Sequence, residues 1–131
     1  MSPTILVVDD EADMLNLLRL ILRRGGWQVV TAASGSEALQ LADRYLPDLI
    51  LLDIMMPGLN GHEVCARLRQ DARFKQTPIL ALTAQAHLEE QVRAHLAGID
   101  EYIVKPVAPA ELLERVRAHL HPASIETPAH P

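Results

Sequence analysis

The sequence predicts an α/β fold in which a parallel five-stranded sheet is covered by helices on both faces. Three observations predict it. Short apolar runs alternate five times with longer amphipathic segments along 131 residues, the rhythm of repeated β-α units. The runs are mostly rich in Val, Ile and Leu and lack polar alternation, as strands buried on both faces do. Breaks fall between the segments, at Gly25 and Gly26, at Pro57 and Gly58, and at Gly98.

Taken in order, Ile5 to Val8 is the first strand, and Met14, Leu17, Leu18 and Ile21 follow at i, i+3, i+4 and i+7 as the inward stripe of a helix. Val29 to Thr31 is the second strand, with Ala38, Leu41, Ala42 and Tyr45 forming the stripe of the second helix. Leu49 to Leu52 leads to a third helix from about Asn60 to Asp71, with Val64, Cys65 and Leu68 inward. After the fourth strand, Ile79 to Leu82, the fourth helical segment (86–97) has only Leu88, Val92 and Leu96 as large apolar residues, so its anchoring is thin. Tyr102 to Val104 is the fifth strand, and a fifth helical segment (108–120) buries Leu112, Leu113, Val116 and Leu120. The closing stretch HPASIETPAHP is proline-rich with a single large aliphatic residue. Residues 1–121 are therefore expected to form one domain and residues 122–131 a flexible tail or linker stub.

A chain of this length can bury one real core and has no room for two of ordinary size. With only four Phe, Trp or Tyr residues, that core must be aliphatic. The net charge of −5 argues against binding nucleic acid through this domain, since such binding relies on Lys and Arg neutralising phosphates. A protein partner is expected instead. Cys65 is the sole cysteine, so no internal disulfide can form, and its helical spacing with Leu68 marks it as a small buried hydrophobe. The N-terminal residues carry acids where a signal peptide needs basic residues before an apolar stretch, and no run reaches membrane-spanning length, which makes the cytoplasm the expected compartment and a membrane role unexpected.

Ligands of open parallel sheets bind outside the carboxyl ends of the strands. At those ends the sequence places Asp9 and Asp10, Asp53, Thr83, and Lys105 followed by Pro106. Each has an ordinary alternative: Asp10 can cap the first helix, Thr83 can be a plain β-branched strand residue, and Lys105 can be a solvated lysine. Asp53 directly follows four apolar residues, at a depth where an unpaired carboxylate is costly. The set says more than its members. Two carboxylates about 4 Å apart repel by roughly 4 kcal/mol at an effective dielectric of about 20, so three together need a cation or must take up protons. All-oxygen ligation with few protein ligands suits magnesium, which keeps several waters and is usually shared with a phosphate. Lys105 adds a point charge for an anion, and Thr83 a hydroxyl donor.

The segments VVDDE, LLDIMMPGLNG, LTA and EYIVKP, in this order, with 30 residues from Asp53 to Thr83 and 22 from there to Lys105, resemble the receiver domains of bacterial response regulators over about residues 4 to 120. The resemblance implies a flavodoxin-like (βα)5 three-layer sandwich with strand order 2-1-3-4-5. It implies that Asp53 takes a phosphoryl group from a phosphohistidine on a sensor histidine kinase or phosphotransfer protein, a case of carboxylate nucleophilic chemistry. Asp10, Asp53 and the Met55 backbone carbonyl would ligate Mg2+ directly, and Asp9 largely through water. Lys105 and Thr83 would contact phosphoryl oxygens, small Ala84 would leave room for the group, and Pro106 would follow a cis peptide that aims the lysine. Thr83 and Tyr102 would relay the event to the surface of the fourth helical segment, fifth strand and fifth helical segment, through which an effector domain or a second copy would be engaged. The domain would catalyse only its own phosphorylation and dephosphorylation.

Two positions depart from the commonest pattern: Asn60, where Asp is frequent, and Ile99, where a small residue is usual. Met55 and Gln85 fall at the variable positions flanking the site, where Met55 is expected to shield an acyl phosphate from water. His62, His87 and His95 are expected on solvated helix surface. Three other functions compete. A magnesium-dependent phosphohydrolase usually needs a second acid two residues after its nucleophile, where Met55 stands. A nucleotide or flavin binder needs a glycine-rich loop, and Ile5 to Asp13 has no glycine. A receiver-fold docking module would use the fold without phosphorylation.

Overall fold

The five apolar runs form strands β1 (Thr4–Val8), β2 (Gln28–Ala32), β3 (Leu49–Asp53), β4 (Ile79–Thr83) and β5 (Glu101–Val104) in a computed structural model that describes residues 2–84 and 98–120. The expectations for Gln85, for the fourth helical segment with His87 and His95, and for the 122–131 tail lie outside those residues. All strand pairs are parallel, in the order β2-β1-β3-β4-β5, as expected. Each strand runs one or two residues beyond its apolar run, because ladder pairing does not stop where the apolar character does. Asp53 still pairs with Leu82, and Thr83 with Val104.

Successive residues of a strand point to opposite faces, and here both faces are covered. Leu6, Val8, Ile50, Leu52, Ile79 and Ala81 lie in one core cluster with Ala38 and Ala42 of α2 (Gly35–Tyr45) and Val64, Cys65 and Leu68 of α3 (Gly61–Arg69). Ile5, Val7, Leu49, Leu51, Leu80 and Leu82 lie in the other, with Leu18 and Leu22 of α1 (Ala12–Arg24) and Leu112 and Val116 of α4 (Pro109–Leu120), the fifth helical segment of the sequence. A 3₁₀ turn, Ala72–Phe74, connects α3 towards β4. All of β3 is buried, and at about 1.5–3 kcal/mol for each large apolar side chain this central strand contributes much of the driving force for folding. Among the described residues, no helix is long and apolar enough to cross a membrane.

Three expectations need correction. The inward stripe of α1 is turned: Leu18 and Leu22 are buried while Leu17 is half exposed. Leu15, Leu18 and Leu22 share the same helical spacing, so a helix apolar on two sides offers periodicity no means of choosing between them. At the end of α2, Tyr45 is exposed under the Arg44 guanidinium, 5.4 Å from its ring centroid. His62 is not on the solvated surface; it is 8% exposed in the first turn of α3, three residues before buried Cys65 and so on the flank of the inward stripe. Cys65 is fully buried as expected, and that burial pushes its thiol pKa up to about 11, which keeps it protonated and unreactive.

Candidate functional site

Ladder bonds continue past the strand ends and fix the rim of the sheet. Asp9 N–H donates to the Ala32 carbonyl (3.1 Å), Ile54 N–H to that of Leu82 (3.0 Å), and Lys105 N–H to that of Thr83 (2.6 Å). Since Val8 is paired with Leu52, Asp9 comes beside Asp53. Strand alternation sends Asp9, Asp53 and Lys105 to the face of α1 and α4, and Thr83 and Tyr102 to the face of α2 and α3, where Tyr102 packs half-buried against the core.

One oxygen each from Asp9, Asp10 and Asp53 lies within 4.8 Å of the others. Asp9 and Asp53 are buried, Asp10 exposed. Asp10 does not cap α1: the N-cap residue is Glu11, with no capping side-chain bond, and the Glu11 N–H donates to Asp9 Oδ1 (2.9 Å). The Lys105 ammonium stands 3.4 Å from Asp9 Oδ2 and 3.6 Å from Asp53 Oδ1, and Met55 N–H donates to the same Asp53 oxygen (3.2 Å). Burial raises the Asp53 carboxyl pKa above the ordinary range. Lys105 opposes this, Asp9 adds to it, the Met55 amide lowers it and Asp10 raises it further. One ammonium thus contacts two of three clustered carboxylates, which leaves the group with an excess of acid. A donor set of carboxylate oxygens with an uncompensated negative charge fits a hard divalent cation.

Of the remaining expected residues, Thr83 is the buried last residue of β4, Ala84 after it is exposed, the Lys105–Pro106 peptide is cis, and Met55 is 65% exposed. The sheet rim therefore brings together Asp9, Asp10, Asp53 and Lys105, with Thr83 on the adjoining strand. Further residues anchor the elements around the rim. Asn60 and Glu63 form a capping box at the start of α3, a spacing visible in the sequence. The Arg69 guanidinium binds the carbonyls of Gly98 and Thr77 and the carboxylate of Asp100, for which the sequence gives no signal.

A model of the response regulator receiver domain matches residues 5–117. The chain belongs to that family. This receiver is 44% identical over 129 residues to the alkaline phosphatase synthesis transcriptional regulatory protein PhoP of Bacillus subtilis, covering 98% of the chain and 53% of that protein. It is 45% identical over 127 residues to the phosphate regulon transcriptional regulatory protein PhoB of Rhizobium meliloti, covering 96% and 56%. Among solved structures, the Vibrio cholerae chemotaxis protein CheY4 superposes with a TM-score of 0.89 at 32% identity, covering 92% of the receiver and 100% of that chain. The receiver spans about half the length of the curated relatives it matches.

Proposed function

We propose that this receiver is a phosphoacceptor switch in which Asp53 takes a phosphoryl group from a phosphohistidine of a partner kinase or phosphotransfer protein. The observation that carries this reading is the cluster of three carboxylates within 4.8 Å with Lys105 against two of them. An Asp53 carboxylate oxygen forms the new O–P bond as the P–N bond to the donor histidine breaks, and the departing imidazole keeps the electron pair and takes a proton from water. Asp10, Asp53 and the Met55 carbonyl would hold Mg2+, and Asp9 would hold it through water. Bound magnesium would offset charge gathering on the phosphoryl oxygens. Lys105, already beside Asp53, would exchange its contact with that carboxylate for one with a phosphoryl oxygen. The Thr83 hydroxyl would donate to another, and Ala84 would leave the approach open.

Output would pass through Thr83 and Tyr102, which share a sheet face on adjacent strands, to the surface that includes β5 and α4. The names of PhoP and PhoB describe transcriptional regulators. By analogy the switched surface would engage an effector domain or a second copy, not nucleic acid directly. Gln85 and Met55 would tune water access. As Met55 is mostly exposed, it would shield the acyl phosphate only by folding over it.

Incubation with acetyl phosphate and magnesium, followed by intact-mass measurement, tests the proposal. The wild type should gain about 80 Da and Asp53→Ala nothing. An unmodified wild type would favour a docking module, and sustained turnover of small phosphoesters a phosphohydrolase.

A further inference from the structure

The loop that follows Asp53 is gripped by two glycines that the backbone conformation does not require. Gly61 opens α3 and Gly35 opens α2, whereas the glycines with positive φ are Gly26, Gly58 and Gly98. Glycine is a poor helix former, so a helical glycine needs another cause. At Gly61 the cause is space. A Cβ there would lie 2.7 Å from the Asp53 carbonyl oxygen and 2.9 Å from Ile54 Cα, backbone atoms that cannot swing aside. At Gly35 it would lie 2.5 Å from the Leu59 carbonyl oxygen. The start of α3 thus sits directly on the Asp53–Ile54 peptide, and the start of α2 presses on the far end of the same loop.

Hydrogen bonds complete the grip. The N–H groups of both Met56 and Gly61 donate to the Ile54 carbonyl (3.2 Å each), and the Asn60–Glu63 capping box holds the exit into α3. Between these fixed points stands Met55, with its side chain exposed and its amide on Asp53 Oδ1. We propose that Gly61 is a positioning residue: the absence of a side chain lets α3 seat on the Asp53–Ile54 peptide, and this seat holds the Met55 backbone against the Asp53 carboxylate. The consequence for magnesium rests on the phosphoacceptor reading, but the positioning itself does not.

The test compares Gly61→Ala with Gly26→Ala. Gly26 lies at the opposite end of the sheet with φ 91° and no atom within 4 Å of a Cβ, so alanine there acts through backbone strain alone. The readouts are hydrogen exchange of the Met55 amide in metal-free protein and magnesium affinity by calorimetry, compared at equal folded fraction. Gly26→Ala should leave both at wild-type values. Gly61→Ala should speed Met55 exchange and weaken magnesium binding on the order of 10-fold. Wild-type exchange and affinity in Gly61→Ala would overturn the proposal. Should that variant fail to fold, Asn60→Ala decides, since it loosens the first turn of α3 without adding an atom: faster Met55 exchange supports the proposal and unchanged exchange overturns it. If the wild type binds no magnesium, the phosphoacceptor reading fails by itself, and Met55 exchange alone still judges Gly61.

Discussion

The Lys105 ammonium lies 3.4 Å from an oxygen of Asp9, a carboxylate with no solvent exposure, and 3.6 Å from one of Asp53. It is the one cation these buried acids meet among the described residues, and its side chain is only 18% exposed. Removing one partner of a buried ion pair leaves the other charge uncompensated. Lys105→Met should therefore lower stability by about 1–3 kcal/mol in urea titrations, below the usual cost for a fully buried pair because this rim opens to water. Added magnesium should stabilise the variant more than the wild type, since each cation offsets the same repulsion. Equal stabilisation of both proteins would show that the two do not share that role.

The raised pKa of Asp53 fixes the sign of a pH effect. Burial is the leading cause, so the folded protein holds this proton more tightly than the unfolded chain. Stability from this group is then fully present below the ordinary aspartate pKa of 3.8 and lost as pH rises through the higher folded pKa. Asp53→Asn removes the charge and keeps an oxygen for the Met55 amide. It should stabilise the metal-free protein at neutral pH by roughly 1 kcal/mol, and the gain should vanish in acid melts. A gain that persists below the unfolded pKa would place its origin in packing.

What could be read in advance follows from which interactions leave a local trace. Strands buried on both faces are written as unbroken apolar runs, and Asp9, Asp53, Thr83 and Lys105 stand out because polar residues end those runs. Strand order was carried by the motifs rather than by periodicity, which is blind to which strand neighbours which. Leu17 lies outward, against its helical spacing, because α1 carries leucines on two sides and only tertiary packing selects Leu18 and Leu22. His62 departs from the surface expected of a histidine because its place in the first turn of α3, three residues before buried Cys65, puts it on the flank of the inward stripe. A glycine at the start of α3 is visible in the sequence, but the close approach to the Asp53–Ile54 peptide that accounts for it is visible only in the fold. Arg69 leaves no trace in the sequence, since its partners, among them the carbonyls of Phe74, Thr77 and Gly98 and the carboxylate of Asp100, are brought together only by folding.

Arg69 ties three parts of the chain. Its guanidinium donates to the Gly98 carbonyl from Nε (3.0 Å) and Nη2 (2.9 Å), to the Thr77 carbonyl from Nη1 (2.7 Å), and to Asp100 Oδ2 (2.9 Å). The same Asp100 oxygen accepts from the Ile79 amide at the start of β4 (2.8 Å). Lysine cannot reproduce this planar fork, and it would leave carbonyls without a donor. Arg69→Lys should cost about 2–4 kcal/mol in equilibrium unfolding. A loss no greater than that of an exposed Arg→Lys change would mean that water serves these carbonyls as well.

Leu46 ends α2 in the left-handed region, at φ 47° and ψ 62°, with its N–H bonded to the Ala42 carbonyl (2.9 Å). It is the one residue other than glycine with positive φ among the described residues. A side chain in this conformation costs about 1–2 kcal/mol, and Leu46 is half exposed, so little apolar burial offsets that cost. Glycine relieves the strain and gives back part of the gain through the greater freedom of the unfolded chain. Leu46→Gly should therefore raise stability by about 0.5–1 kcal/mol, with melting several degrees higher. Leu46→Ala separates the causes, because it removes the exposed leucine but keeps a Cβ. Equal gains in both variants would trace the effect to the side chain, whereas a gain confined to glycine assigns it to the backbone.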